Sequence, residues 1–110
     1  MTDTNIKNLP EGTYFTEIGY SQQYPWLVIR ETPTTRELVK VVVDRDPEFT
    51  PNILPGGFCG HCDNQHLQTW LYKGIRPTET VTIRKTKHGW SRNGVRFIEG
   101  RAREFYDWNF

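Results

Sequence analysis

Several features that would place this chain in a specialised class of protein are missing from it. Its 110 residues include only two cysteines, and no apolar stretch approaches the length needed to cross a bilayer. The first eight residues are polar and lack the apolar region of a signal peptide, so we expect a cytoplasmic protein without a Cys59–Cys62 disulfide. The net charge of +1 gives no electrostatic basis for bulk binding to nucleic acid or to a membrane.

Aromatic residues are what the chain has in quantity. They make up 14% of the sequence, whereas mean hydropathy is only -0.70 and 35% of the residues are hydrophobic. A few large rings can fill the narrow interior of a small β-barrel or sandwich. At this length we expect a flexible N-terminus over residues 1–8 and a single domain over residues 9–110.

Short strands separated by turn signals follow one another along the chain. The clearest alternation is in residues 79–87, and Asn93-Gly94 is a strong signal for a two-residue hairpin turn. The near-continuous apolar run of residues 26–31 predicts a strand that is buried on both faces or has covered edges. Strands are predicted at residues 13–18, 24–31, 37–44, 67–72, 79–87, 90–92 and 95–98, with a turn at residues 74–78 that contains Pro77.

The arrangement predicted from this series of hairpins is all-β. A short meander buries its apolar face best by curling on itself, so we expect a small antiparallel meander barrel resembling the Src-homology-3-like fold, with room for one short helix or turn. The last six residues contain four aromatic side chains, and we expect that segment to close the barrel. If that cluster is exposed instead, it would mark a homo-oligomer interface.

Polar and glycine residues concentrate in residues 55–66, PGGFCGHCDNQH. Glycine amides can form a concave anion site, while histidine, asparagine and glutamine side chains supply donors and acceptors. A basic side chain on a later strand, Arg84, can add positive charge. The predicted ligand-binding residues are Gly56, Gly57, Phe58, Gly60, His61, Asn64, Gln65 and Arg84. The alternative for Asn64, Gln65 and His61 is a structural role, in which they hold a long loop shut.

The same segment has two further interpretations. Cys59, Cys62 and His66 are zinc-compatible ligands at compact spacing, yet no second cysteine pair completes the usual four-ligand set. A thiol beside an imidazole can also form a catalytic pair, but no catalytic-cysteine signature surrounds it. We therefore predict no catalytic residues and no cofactor, and keep a small Cys/His enzyme or a zinc-stabilised module as the alternative.

The central motif resembles that of a family of small uncharacterised proteins of tailed bacteriophages and prophages. The resemblance covers residues 55–58, 60–62 and 64–65, and it extends to residues 19–28, 82–85, 89–90, 100–101 and 106–110. It implies a phage accessory protein acting in the cytoplasm of the infected bacterium, without assigning an activity. We expect a non-catalytic binding protein that counters host defence by binding a nucleotide-type signal, another small anionic ligand or a host protein.

Overall fold

Antiparallel strands make up most of the protein, which the computed structural model describes over residues 9–54, 61–62, 64–100 and 102–106. One turn of 3₁₀ helix, Gln65–Leu67, lies between two of the strands. The strands are β1 Tyr14–Ile18, β2 Gln23–Glu31, β3 Thr35–Arg45, β4 Ile53–Leu54, β5 His61–Cys62, β6 Trp70–Thr86, β7 Gly89–Arg92 and β8 Val95–Glu99.

Six of these strands close a barrel. Their order is β1, β2, β3, β6, β7 and β8, and β8 pairs back with β1. Each neighbouring pair is antiparallel, so the closed ring has no strand edge of the kind that invites pairing with another chain. The predicted all-β meander barrel is confirmed.

Side chains that alternate along the strands fill the inside of the barrel. Phe15, Leu38 and Ile83 are fully buried there, together with the nearly buried rings of Trp26 and Phe97. Phe15 meets the ring of Trp90 edge-on, with centroids 5.8 Å apart. Since aliphatic residues are scarce, large rings supply much of the inner packing, as the composition predicts.

A second apolar cluster covers the outer face of the same strands. It consists of the buried residues Leu9, Leu27, Val39, Val41 and Tyr72. Leu27 directly follows Trp26, so neighbouring residues of β2 pack into different clusters on opposite faces. The prediction that this strand is buried on both sides is therefore confirmed for Trp26 and Leu27 and wrong for residues 29–31, which are exposed.

The predicted turn at residues 74–78 is wrong, because β6 runs without interruption from Trp70 to Thr86. Lys40 pairs with Arg76 and the preceding residue, Val39, pairs with Thr80, which leaves residues 77–79 without a partner on β3. Proline has no N–H to donate to a ladder, so Pro77 is tolerated in this bulge. The turn residues thus bend a long strand instead of ending it.

The predicted hairpin at Asn93-Gly94 is confirmed, and it joins β7 to β8. Asn93 has a φ of 52° and Gly94 a φ of 83°, the left-handed pair that a tight hairpin requires. Asparagine and glycine reach this region at low cost.

The terminal segment does not close the barrel, since that ladder is made by β8 on β1. Among residues 102–106, Phe105 forms a single bridge to Gln23, with two backbone hydrogen bonds of 3.0 Å. The segment therefore pairs with the start of β2 and adds to a barrel that β8 and β1 already close. The remaining terminal aromatics, Trp108 and Phe110, lie outside the described residues.

The two ends of the barrel differ in how they are filled. At one end, which we call the closed end, the Arg36 guanidinium stacks 4.5 Å from the ring centroid of Trp90. Its Nη1 also donates to the carbonyl oxygens of Thr32, at 2.6 Å, and Thr35, at 2.8 Å. A contact of 3.4 Å with the carboxylate of Glu31 completes its surroundings. The guanidinium of Arg36 therefore has a structural role, since these contacts hold it in place.

Candidate functional site

The glycine-rich segment is only partly described. Its flanks form a two-stranded sheet in which Ile53 pairs with Cys62 and Leu54 pairs with His61. Of His61 the structure describes the backbone. Four of the predicted ligand-binding residues lie outside the described residues, namely Gly56, Gly57, Phe58 and Gly60. Cys59 also lies outside them.

The side chain of Asn64 is engaged in holding this segment together. Its Oδ1 accepts from the backbone N–H of Asn52 at 2.8 Å and from the Cys62 thiol at 3.2 Å. Its Nδ2 donates to the carbonyl oxygen of Thr50 at 3.0 Å. These contacts support the structural alternative for Asn64, because they occupy both ends of the carboxamide that a ligand would need.

A residue that sequence reasoning missed, Gln68, ties the segment to the rest of the fold. Its buried Oε1 accepts from the backbone N–H of Tyr106 at 2.8 Å and from the indole N–H of Trp70 at 2.6 Å. Its Nε2 donates to the carbonyl oxygens of Gln65, at 2.8 Å, and Tyr106, at 2.9 Å. Gln65 thus contributes its backbone to an anchor. A lone glutamine beside a tryptophan carries no sequence signal for this role.

The candidate metal ligands are placed differently from one another. Cys62 is buried and its thiol donates to Asn64, whereas His66 is exposed on the 3₁₀ turn. Within the described part of the chain, no three side chains of the His, Cys, Asp and Glu types lie close enough to hold a metal ion. Cys59 is not among those residues, so the zinc alternative stays a prediction.

Arg84 lies far along β6 from Gln65, which Gln68 connects to Trp70. It pairs with Thr35 and Ser91 near one end of β6, whereas the other end of that strand starts at Trp70, which pairs with Arg45. Fourteen residues of strand separate the two positions, a path of about 45 Å at the usual rise per residue. Arg84 therefore belongs to a different surface from Asn64 and Gln65.

Lys40 marks the end of the barrel opposite Arg36, which we call the open end. Both side chains lie on the inner face of β3, with the buried Leu38 between them. The Lys40 ammonium lies 4.7 Å from the ring centroid of Tyr24 and 5.1 Å from that of Trp26. Aromatic faces attract a cation but leave its three N–H donors available.

A cavity of about 510 Å³ opens at this end, a size within the usual range for small-molecule sites. Buried aromatic walls meet charged groups of both signs around it. The lining residues are Glu17, Tyr24, Trp26, Lys40, Glu79, Val81, Arg92, Asn93, Val95 and Phe97. The bulge in β6 contributes Glu79, which also contacts Arg76 at 3.2 Å.

The Lys40 ammonium and nearby carboxyl groups shape the electrostatics of the open end. Burial lowers the pKa of Lys40, although the carboxylates of Glu104, Glu17 and Glu79 act in the opposite direction. Burial raises the pKa of Glu104 to about 7, and the Lys40 ammonium only partly counteracts this rise. Glu104 therefore titrates near neutral pH. Burial also raises the pKa of Tyr24, with smaller contributions from Glu104, Glu17 and Tyr106.

Glu17 is held in a defined orientation beside Lys40. Its Oε1 accepts the indole N–H of Trp26 at 2.9 Å. A carboxylate has about four acceptor positions, so this bond leaves capacity for a ligand. Sequence reasoning missed both Glu17 and Lys40. The lysine lies inside the apolar run LVKVVV of β3 and was a usable signal, because lysine is almost never fully buried unless it is paired.

Comparisons with protein-family models, with curated proteins and with solved structures find no match to this chain. The resemblance to phage proteins therefore stays a prediction. In the described part of the chain, no helix has the length and apolar character needed to cross a membrane.

Proposed function

We propose that the protein is a non-catalytic binding protein that holds a nucleotide-type ligand at the open end of the barrel. The observation that carries this proposal is the convergence of Lys40, Glu17 and the Trp26 ring on one cavity. At the opposite end of the same barrel the cation, Arg36, stabilises the fold through contacts with backbone carbonyl oxygens and an aromatic ring. Lys40 has no comparable hydrogen bonds or ion pairs within the described residues.

A nucleobase suits the chemistry of this cavity. Its flat ring can pack against aromatic walls, which contribute about 1–3 kcal/mol for each stacked base. The Glu17 carboxylate can accept N–H groups, and the Lys40 ammonium can donate to a carbonyl oxygen. Guanine offers these groups side by side along one edge, a carbonyl oxygen next to two N–H donors. We therefore expect guanine to be preferred over the other bases.

The biological setting of this proposal is a phage protein that counters host defence by sequestering a nucleotide signal. That setting is supported by the sequence resemblance alone. The geometry of the cavity supports only the ligand class.

Calorimetric titration with guanosine, adenosine, cytidine and uridine tests the proposal. We expect guanosine to bind most tightly, and Glu17→Gln to weaken it at least tenfold. This variant keeps an oxygen that can accept the Trp26 indole N–H but removes the charge. The expected size of the loss follows from the about 1–3 kcal/mol that a good bidentate contact to a base contributes. Glu99→Gln, on an exposed residue of β8, is the matched control and should bind normally.

Failure of all four nucleosides to bind would contradict a nucleobase site and direct attention to a host protein as the target. Binding that survives Glu17→Gln and Lys40→Met unchanged would move the ligand away from the open end. Circular dichroism of each variant establishes that a loss of binding is not a loss of fold.

A further inference from the structure

A second cavity adjoins the open end on the outside of the barrel. It has a volume of about 430 Å³ and is lined by Thr82, Arg84, Thr86, Ser91, Arg92 and Asn93. Arg92 and Asn93 line both this cavity and the one inside the open end. The two cavities therefore lie next to each other at the β7–β8 hairpin, separated by no more than the side chains of these two residues.

Arginine side chains surround a hydroxyl group on this outer face. Ser91 pairs with Arg84 on β6 and with Arg96 on β8, so the three residues form one row across three strands. At the usual strand spacing, the Cα atoms of Arg84 and Arg96 are about 10 Å apart. Both side chains lie outside, since Ile83, Trp90 and Phe97 next to the row belong to the inner cluster.

The charges of the two cavities are distributed unequally. The inner cavity is lined by the carboxylates of Glu17 and Glu79 together with the cations of Lys40 and Arg92, whereas the outer one has two guanidinium groups and no carboxylate in its lining. Glu37, which pairs with Thr82 two residues before Arg84 on β6, contacts Arg30 at 3.7 Å. An anionic group is therefore favoured outside, and a group with N–H donors inside.

We infer that Arg84, Ser91, Arg92 and Arg96 form a phosphate subsite for a ligand whose nucleobase occupies the open end. Guanidinium groups bind phosphate oxygens through paired N–H donors, and the serine hydroxyl adds a further donor. The span of the row suits a chain of two or three phosphates better than one. This inference rests on the proposed function and extends it from a base site to a nucleoside di- or triphosphate site, with Arg84 as a ligand residue.

The test compares guanosine, GMP, GDP, GTP and inorganic pyrophosphate by calorimetric titration. We expect affinity to rise at least tenfold from guanosine to GDP, and the gain to shrink as salt is added. The double variant Arg84→Gln/Arg96→Gln should remove most of this gain and leave guanosine binding unchanged. Arg45→Gln, an exposed arginine at the far end of β3, is the matched control.

The outcomes separate the two proposals. Guanosine binding without a gain from phosphates, or a gain that survives the double variant, overturns the phosphate subsite and leaves the base site standing. Pyrophosphate binding that the double variant abolishes, without any guanosine binding, supports the subsite and overturns the base site. Absence of binding by every probe overturns both.

Discussion

Arg36 and Lys40 occupy equivalent positions at the two ends of one barrel, yet their surroundings differ. Each side chain extends from the inner face of β3 and places its cation over an aromatic ring of another strand. Arg36 also has two carbonyl oxygens and a carboxylate within reach, whereas Lys40 faces a cavity. The β2–β3 turn supplies the carbonyl oxygens at the closed end, and a bulge in β6 flanks Lys40 at the open end.

The difference shows how one strand can serve both stability and binding. A planar guanidinium with several fixed donors is suited to connecting a turn to a ring. An ammonium on a flexible chain keeps its donors free and responds to burial through its pKa. If this interpretation holds, substitutions at the closed end should affect folding, and substitutions at the open end should affect binding and pH response.

The largest effect on stability is expected from Trp90→Ala. The substitution removes the ring that packs against Phe15 and under Arg36, and it should lower the free energy of unfolding by about 3 kcal/mol. Urea denaturation followed by circular dichroism measures this loss. Tyr20→Ala, at a fully exposed aromatic residue, should change stability by less than about 0.5 kcal/mol. Equal effects of the two substitutions would refute the assignment of Trp90 to the closed end.

A pair of identical replacements compares the ends directly. Arg36→Met should cost about 2 kcal/mol, because it removes charged hydrogen bonds to Thr32 and Thr35. Lys40→Met should cost less than about 0.5 kcal/mol or stabilise the protein, since it replaces a half-buried charge with an apolar chain of similar length. Denaturation under the same conditions measures both. A larger loss for Lys40→Met would show that Lys40 is structural as well.

A further expected effect, smaller than those at Trp90 and Arg36, depends on pH and concerns Glu104. Its pKa is about 7 in the folded protein against the ordinary glutamate value of 4.5, so folding favours the protonated carboxyl. That contribution is present below about pH 4.5 and is lost as the pH rises through about 7. Glu104→Gln should therefore stabilise the protein at pH 8 by about 1 kcal/mol, a value reduced for partial exposure, and should have little effect at pH 4.

Unfolding measured at both pH values, with Glu99→Gln as control, checks this expectation. A stabilisation that is equal at pH 4 and pH 8 would mean that the carboxyl group of Glu104 is not the cause. Ligand binding at the open end should then be repeated across the same range, because Glu104 lies beside Lys40.

Local patterns predicted much of this fold and little of its candidate site. Alternation in β6 and the Asn93-Gly94 pair are short-range signals, and both were interpreted correctly. The turn predicted around Pro77 was wrong because propensity cannot distinguish a turn from a bulge whose partner strand is remote in sequence. The site was sought in the glycine-rich segment, where Asn64 is engaged with Asn52, Cys62 and Thr50.

By itself the sequence determined that this chain forms an aromatic-rich antiparallel barrel, because side-chain alternation and turn chemistry act between residues that are close along the chain. Only the tertiary structure decided that Lys40 faces a cavity while Arg36 is fixed by the backbone. It also decided that Glu104 reaches the same end from the last described segment. Those placements depend on strand register and on contacts between distant residues, which no local pattern specifies.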